Sequence, residues 1–116
     1  MDIDLSGFTG SEKFYKHMMG VILSEGAFYV AEKCQAHWLM DVVTSYQTEA
    51  RFRKEEFQVW KLTAPGDTDK MRPATVTCDD GNGNVIAKQE IHATDFPLEE
   101  VTLWYQNKTI FLPSEY

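Results

Sequence analysis

The chain has 116 residues and a mass of 13.3 kDa, with 43% hydrophobic, 13% aromatic and 25% charged residues. This length and composition indicate one globular domain, residues 1–116, and exclude a chain that is disordered throughout. The formal net charge is −7, from 18 acidic and 11 basic side chains. The densest basic cluster, Arg51, Arg53 and Lys54, is surrounded by glutamates. Because neutralising phosphates requires clustered Lys and Arg, we expect no direct nucleic-acid partner.

The cysteines and the apolar runs indicate a compartment. Cys34 and Cys78 are too few for a secreted domain stapled by disulfides. The first residues lack the basic and apolar regions of a secretory signal. The longest apolar run, Met18 to Leu23, is much shorter than the ~20 residues that span a bilayer. We therefore expect a cytoplasmic protein that does not enter a membrane.

The start of the chain predicts an extended segment followed by a helix. Residues 1–10 carry apolar side chains that can pack against the fold. Thr9 or Ser11 can cap a helix with Glu12 in its first turn, where the helix dipole favours an acid. Gly20 is expected to end this helix.

The stretch from Gly26 to Gln47 is the longest without proline and predicts the main helical part of the fold. Ser24 is placed to cap it. A single helix of this length would be long for so small a domain, so we favour two helices broken near Lys33 to Gln35, and one continuous helix is the alternative. Apolar residues recur at helical spacings of three and four, at Phe28, Ala31, Trp38, Val42 and Tyr46.

The second half of the chain has the alternation and turn residues of β-structure. Helices followed by strands predict an α+β fold, with N-terminal helices packed on one face of an antiparallel sheet of about five strands. The predicted strands are Phe57 to Leu62, Ala74 to Asp79, Val85 to His92, Val101 to Gln106 and Thr109 to Leu112.

Two hairpin turns set the predicted register. Asn82-Gly83 is typical of a two-residue type I′ turn. That turn places Cys78 opposite Ala87 and puts Val85 on the same apolar face. Asn107-Lys108 joins the last two strands and places Tyr105 opposite Ile110.

Cysteine and histidine residues offer one combination with metal chemistry. Cys34 and His37 stand three apart on a helix, and Cys78 and His92 would complete a Cys₂His₂ zinc set. The hairpin register places Cys78 on the core face and His92 on the other face, so we expect no metal site and no cofactor. A nucleophile at Cys34 would need a nearby histidine as base, which keeps a small hydrolase as an alternative.

No phosphate-binding loop, dinucleotide-binding glycine pattern or nucleophile elbow is present, so no catalytic residue is assigned. His37 and Asp41 lie one helical turn apart and form a possible functional pair, although an ordinary surface pair explains them equally. A small enzyme using cysteine and histidine therefore stays the second hypothesis.

Aromatic and acidic residues indicate a surface for a protein partner. Trp104 and Phe111 fall on the strand face opposite Leu103 and Leu112, so one of the two faces must meet something other than the helices. That face either forms a second core layer with the N-terminal arm or the C-terminal tail, binds another copy of the chain, or binds a protein partner, and an acidic surface suits a basic partner. The candidate binding residues are Asp79, Asp80, Glu99, Glu100, Trp104 and Phe111.

Several stretches of the chain resemble a family of small acidic proteins of unknown function, encoded in bacterial genomes, plasmids and phages. They are FTGSEKFYKH, AHWLMDVV, CDDGNG, TDFPL and LPSEY. The family's helix motif combines a small residue, an aromatic residue, Trp-Leu and Asp. Ala36, Trp38, Leu39 and Asp41 match this motif, and His37 stands where an aromatic residue is common.

The resemblance implies a biological context rather than a mechanism, and no catalytic residues are carried over from it. Small acidic proteins of mobile elements often bind and inhibit a host protein. We therefore expect a non-enzymatic protein-binding module of a mobile genetic element, for example an inhibitor of a host defence system such as an anti-CRISPR or anti-restriction protein. The alternative is the cysteine- and histidine-dependent hydrolase or metal-binding enzyme.

Overall fold

The computed structural model describes residues 3–10 and 12–116, and this part of the chain has an α+β fold. The predicted fold class is confirmed at this level. The helices in the described residues are α1 (Glu25–Lys33), α2 (His37–Tyr46) and the short α3 (Ala50–Arg53), with 3₁₀ turns at Met18–Gly20 and Pro113–Glu115. The strands are β1 (Phe14–Lys16), β2 (Ile22–Ser24), β3 (Phe57–Thr63), β4 (Arg72–Asp79), β5 (Val85–Thr94), β6 (Glu100–Gln106) and β7 (Thr109–Phe111).

The seven strands form one mixed sheet in the order β1-β2-β7-β6-β3-β4-β5. Strands β2 and β7 pair in parallel, and the other neighbours pair in antiparallel fashion. The five predicted strands correspond to β3 through β7. The predicted antiparallel sheet of about five strands therefore matches only roughly, because two strands from the start of the chain extend the sheet and one of them pairs in parallel.

The helix predicted to end at Gly20 is also wrong. Phe14 and Met18, which would have formed its apolar stripe, are 53% and 50% exposed. Tyr15 instead points inward from β1 and stacks on Phe28 of α1, with ring centroids 3.9 Å apart. The conformation of a short segment depends on the strands that it can pair with. Residues 14–16 pair with β2 and therefore form a strand. Ser11, one of the two proposed caps, lies outside the described residues.

The long helical stretch divides as predicted. Ser24 caps α1, and its Oγ accepts a hydrogen bond from the backbone N–H of Ala27 at 3.1 Å. Helix α1 ends at Lys33, and Gln35 then adopts a left-handed conformation with φ of 51°. Helix α2 begins at His37, so the alternative of one continuous helix is wrong.

The register of the first hairpin is confirmed along most of its length, since Cys78 lies opposite Ala87. A register shift between Cys78 and Asp79 then pairs Asp79 with Val85. Because a one-residue shift turns a side chain to the other face, Val85 is 63% exposed rather than apolar core as predicted. The turn is longer than Asn82-Gly83 alone, with positive φ at Gly81 and Gly83.

The second hairpin has the predicted two-residue turn. Asn107 and Lys108 both have positive φ, 54° and 59°, as a type I′ turn requires. Tyr105 lies opposite Ile110. Local turn chemistry therefore determined this register correctly.

The core lies between one face of the sheet and the helices. Trp60 of β3 is 1% exposed, and its ring packs against Tyr46 of α2 and Phe52 of α3, at centroid distances of 5.3 and 6.0 Å. The buried residues of α1 and α2 belong to the same cluster as the inward residues of the strands. No helix in the described residues is both long and apolar enough to cross a membrane.

Candidate functional site: an aromatic face on the open side of the sheet

The second face of the sheet carries a row of side chains that runs across four strands. Asp79 of β4 pairs with Val59 of β3, Val59 with Trp104 of β6, and Trp104 with Phe111 of β7. Residues directly opposite each other share a face, so these four side chains point the same way. Phe57 lies two residues before Val59 and therefore joins the same face.

Four rings form a cluster on this side, and we call Phe57, Trp104, Phe111 and Tyr116 the aromatic face. Trp104 is its centre, with centroid distances of 5.1 Å to Phe57, 6.1 Å to Phe111 and 5.4 Å to Tyr116. All three contacts are edge-to-face, with interplanar angles of 70°, 87° and 77°. Such geometry is favourable between aromatic rings, so the cluster has a defined shape without covering from a helix.

Tyr116 is held over the cluster by the segment before it. The 3₁₀ turn Pro113–Glu115 follows β7, and the Glu115 carboxylate anchors this turn to the start of α1. It accepts hydrogen bonds from Ser24 Oγ at 2.6 Å and from the Gly26 backbone N–H at 3.0 Å. The Tyr116 side chain remains 77% exposed.

Beyond the aromatic face, the same side of the sheet is polar. Lys61 pairs with Glu100 at 3.4 Å, and Lys88 with Glu90 at 3.6 Å. The apolar surface is therefore confined to one end of the sheet, where Tyr116 of the C-terminal tail packs on it. Threonines occupy the positions between these charges, at Thr63, Thr75, Thr77 and Thr102.

Asp79 and Asp80, two predicted binding residues, lie beside the aromatic face. Asp79 is at the end of the row that includes Trp104, and Phe57 packs so closely on Gly81 that a Cβ there would lie 3.1 Å from the ring. Asp80 accepts hydrogen bonds from Asn84, both side chain and backbone, and from the backbone of Asn82. Bonds from the Asn84 side chain and the Asn82 backbone lower the pKa of Asp80, so its carboxylate stays charged.

The other predicted acidic pair lies apart from the aromatic face. Glu100 shares its cross-strand pair with Thr63, two same-face positions beyond the pair of Val59 and Trp104, a separation of about 13 Å. The Glu99 carboxylate accepts a hydrogen bond from the Gly66 backbone at 3.1 Å. The structure thus brings Asp79, Asp80, Trp104 and Phe111 together and leaves Glu99 and Glu100 at the far end.

His37 and Asp41 do not form the expected pair. His37 Nε2 lies 3.1 Å from a carboxylate oxygen of Glu32, one helix back. Asp41 Oδ1 lies 2.8 Å from Nε2 of His17, at ion-pair distance but without the alignment of a hydrogen bond. The two residues of α2 therefore contact different partners.

Both cysteines lie inside the core, at 4% and 0% exposure for Cys34 and Cys78. Burial raises the pKa of the Cys34 thiol to about 11 and is the main cause that raises the pKa of Cys78 to about 12. A nucleophilic cysteine requires a lowered pKa and an accessible sulfur. Within the described residues, no three His, Cys, Asp or Glu side chains are grouped as a metal site would require.

A cavity lies at the same end of the sheet but on the helix side. It has a volume of about 620 Å³ and is lined by residues of the 3₁₀ turn Met18–Gly20, α3 and the turn between β6 and β7. Arg53 and Lys108 contribute positive charge there, and Glu55 and Glu56 negative charge. This balanced, polar lining does not by itself indicate one chemical class of ligand.

Sequence reasoning missed two members of the aromatic face. Phe57 carried a signal, because apolar residues occupy both alternating sets of β3 and its outward set must meet something. Tyr116 carried none, since its position depends on the anchor between Glu115 and the start of α1, residues about 90 positions apart in the sequence.

The fold and this surface define a small α+β protein whose helices cover one face of a mixed sheet, with an aromatic cluster on the other. A model for a family of unknown function, DUF6876, matches residues 1–116. The chain belongs to that family, and the predicted membership in a family of unknown function is confirmed. No curated protein and no solved structure matches the chain.

Proposed function

We propose that this protein is a non-enzymatic binding module whose protein partner docks on the aromatic face. The observation that carries the proposal is the position of four clustered rings on the side of the sheet that no helix of the described residues covers, with Tyr116 77% exposed. Tyrosine, tryptophan and phenylalanine are enriched at the centres of protein interfaces, where they supply most of the binding energy.

The surroundings of the aromatic face support a binding role over simple structural packing. The polar remainder of the open side, with its threonines and its Lys61–Glu100 pair, has the character of an interface rim. The rings themselves are positioned by defined contacts before any partner arrives. A preorganised surface loses less side-chain entropy on binding.

The finer proposal concerns the kind of module. A mobile-element protein that inhibits a host defence system, such as an anti-CRISPR or anti-restriction protein, is supported by the resemblance of the sequence stretches and by the net charge of −7. Such an inhibitor would act by occupying a surface that the host complex needs. The alternative of a cysteine hydrolase is not supported, because the buried Cys34 has a raised pKa.

The test compares partner binding by variants of one face. Tyr116→Ala removes a ring that is 77% exposed, and Trp104→Ala removes the centre of the cluster. Thr102→Ala, on the same strand and the same face, is the matched control. A partner identified by affinity capture with the wild-type chain should bind Tyr116→Ala and Trp104→Ala about tenfold or more weakly, measured by calorimetry, and should bind the control normally.

Two results would overturn the proposal. One is a stoichiometric partner that binds both ring variants as tightly as the wild type. The other is concentration-dependent light scattering that shows a stable dimer broken by Tyr116→Ala, since the aromatic face would then be covered by a second copy. Thermal unfolding of each variant establishes that the fold is intact, and Tyr116→Ala keeps the test valid if the partly buried Trp104 proves necessary for stability.

A further inference from the structure

The aromatic face is bordered by carboxylates on the side of Phe57. Asp79 is in the cross-strand row of Trp104, and Gly81, against which Phe57 packs, directly follows Asp80. The apolar rings and the negative charges therefore belong to one continuous surface.

The negative charge at this edge is not neutralised locally. The Asp79 carboxylate accepts a hydrogen bond from the Gly81 backbone N–H, and the Asp80 carboxylate accepts from Asn82 and Asn84, so these donors are all uncharged. Arg51 is the cation whose charge acts together with those of the two carboxylates on the neighbouring Cys78. Arg51 itself is engaged, with Nε 3.1 Å from a carboxylate oxygen of Glu49. The edge thus keeps a net negative potential, in line with the net charge of −7 of the whole chain.

None of the described cations of the chain occupies the faces of these four rings. The cation–ring contact found in the described residues is Arg51 over Phe52, at 4.8 Å, on the helix side. Lys61, on the open side, is turned toward Glu100 at 3.4 Å. The exposed face of the Tyr116 ring is therefore available to a positively charged group of a partner.

We propose that the aromatic face binds an arginine side chain of a basic protein partner, with the guanidinium stacked on the exposed ring of Tyr116 and attracted by the Asp79 carboxylate. The inference rests on the proposed function and assigns its partner chemistry. A ring face carries negative quadrupole density that attracts a cation. Arginine fits better than lysine because its guanidinium is planar, weakly hydrated and stacks on aromatic rings.

Aromatic geometry and charge act together in this arrangement. Phe111 and Tyr116 lie in nearly parallel planes, 17° apart, and Trp104 is close to perpendicular to both. The centroids of Phe111 and Tyr116 are only 6.1 Å apart, so a guanidinium stacks on the outer face of Tyr116 rather than between these two rings. The carboxylates then increase the local concentration of cationic groups, and salt should weaken this part of the attraction.

The experiment titrates the intact protein with two small probes, N-acetyl-arginine N-methylamide and its citrulline analogue, and follows the tryptophan indole N–H signals by NMR. Citrulline has nearly the same shape as arginine but no charge. The Trp104 signal should shift saturably with arginine, and the citrulline probe should bind about two- to fivefold more weakly. Trp60 is an internal control, since its indole N–H is buried and donates to Gln58 Oε1 at 2.9 Å.

Variants separate stacking from general attraction to an acidic protein. Tyr116→Ala should weaken arginine binding by a similar factor, about two- to fivefold. Asp79→Asn should also weaken it, because the amide oxygen can keep the bond from the Gly81 backbone while the charge is lost. Glu100→Gln, at the far end of the same face, is the control and should leave binding unchanged.

The inference fails if citrulline shifts Trp104 as strongly as arginine does, or if Tyr116→Ala binds arginine as tightly as the wild type. These outcomes are distinguishable from failure of the proposed function. If the partner does not bind Tyr116→Ala and the protein binds the arginine and citrulline probes equally, the docking surface stands and only the arginine proposal is refuted. Conversely, arginine binding can depend on Tyr116 while the partner binds Tyr116→Ala as tightly as it binds the wild type. That result keeps the arginine site and refutes the docking surface.

Discussion

Thr44 shows how a single buried residue departs from good polar pairing. Its side chain is completely buried in α2, and its Oγ1 has no hydrogen-bond partner among the described residues. Valine has nearly the same shape and helix propensity without the hydroxyl. Thr44→Val should therefore raise the free energy of unfolding by about 1 kcal/mol, because burying an unpaired hydroxyl is costly.

Urea unfolding followed by circular dichroism measures this change, with Thr102→Val on the outer face of β6 as the control. The control should shift the midpoint little, since Thr102 is only partly buried on the open face. A decrease in the stability of Thr44→Val would show that the hydroxyl is paired in solution, for instance by a water molecule.

Gln58 illustrates a residue whose position, but not whose role, followed from the sequence. Alternation in β3 places it with Trp60 on the inward face, yet a fully buried amide is unusual there. Its Oε1 accepts bonds from Gln47 Nε2 at 2.8 Å and Trp60 Nε1 at 2.9 Å, and its Nε2 donates to Gln47 and to the Phe52 carbonyl. Contacts with α3 and with the connection between α2 and α3 therefore complete the pairing of the amide, and these contacts are not visible in the local pattern of β3.

At the scale of elements, the start of α1 depends on a side chain from the other end of the sequence. Both Glu115 carboxylate oxygens accept hydrogen bonds at this helix N-terminus, and a Cβ at Gly26 would lie 2.5 Å from one of them. A carboxylate is favoured there because backbone N–H groups point outward and the helix dipole is positive. The turn, the helix and the position of Tyr116 are therefore coupled.

Glu115→Gln should lower the free energy of unfolding by about 1–2 kcal/mol, since the amide keeps one acceptor and loses the charge. Glu100→Gln is the matched control, because its pair with Lys61 is exposed and such pairs contribute about 0–1 kcal/mol. Chemical unfolding of the two variants side by side makes the comparison. Equal midpoints would contradict the proposed coupling between the 3₁₀ turn and α1.

At the scale of the whole molecule, Arg72 joins connections that are distant in the sequence. The side chain is 7% exposed, and its guanidinium donates to the backbone carbonyls of Ala64, Lys70, Phe96 and Leu98 at distances from 2.7 to 3.2 Å. The connection from β3 to β4 is thereby tied to that from β5 to β6. We call these hydrogen bonds of Arg72 the clamp. The clamp fixes the end of the sheet that lies farthest from the aromatic face.

Arg72→Met should destabilise the protein by about 3 kcal/mol, because several buried carbonyls lose their donor at once. Arg72→Lys keeps the charge but not the forked geometry, so it should lose most of the same stability. Arg53→Met is the control, as an exposed arginine with one bond, to the Thr48 carbonyl at 2.6 Å. Thermal unfolding of the three variants checks the order, and a loss in Arg53→Met as large as that in Arg72→Met would refute the clamp.

The sequence by itself determined the features that depend on neighbouring residues. Helical spacing and the cap at Ser24 predicted α1 and α2 with a break between them, and alternation predicted β3 through β7 and the placement of Trp104 on the strand face opposite Leu103. The turn at Asn107-Lys108 specified the last register. Each of these follows from backbone geometry over a few residues, which local side chains are sufficient to select.

Only the tertiary structure decided how distant segments meet. The pairing of β1 with β2 made a strand of a segment whose pattern predicted helix, and the register shift at Asp79 turned Val85 outward. The aromatic face was completed by Tyr116, through the contact of Glu115 with α1. These outcomes depend on contacts between residues far apart in the chain, whose free energy outweighs local propensity and leaves no periodic signal in the sequence.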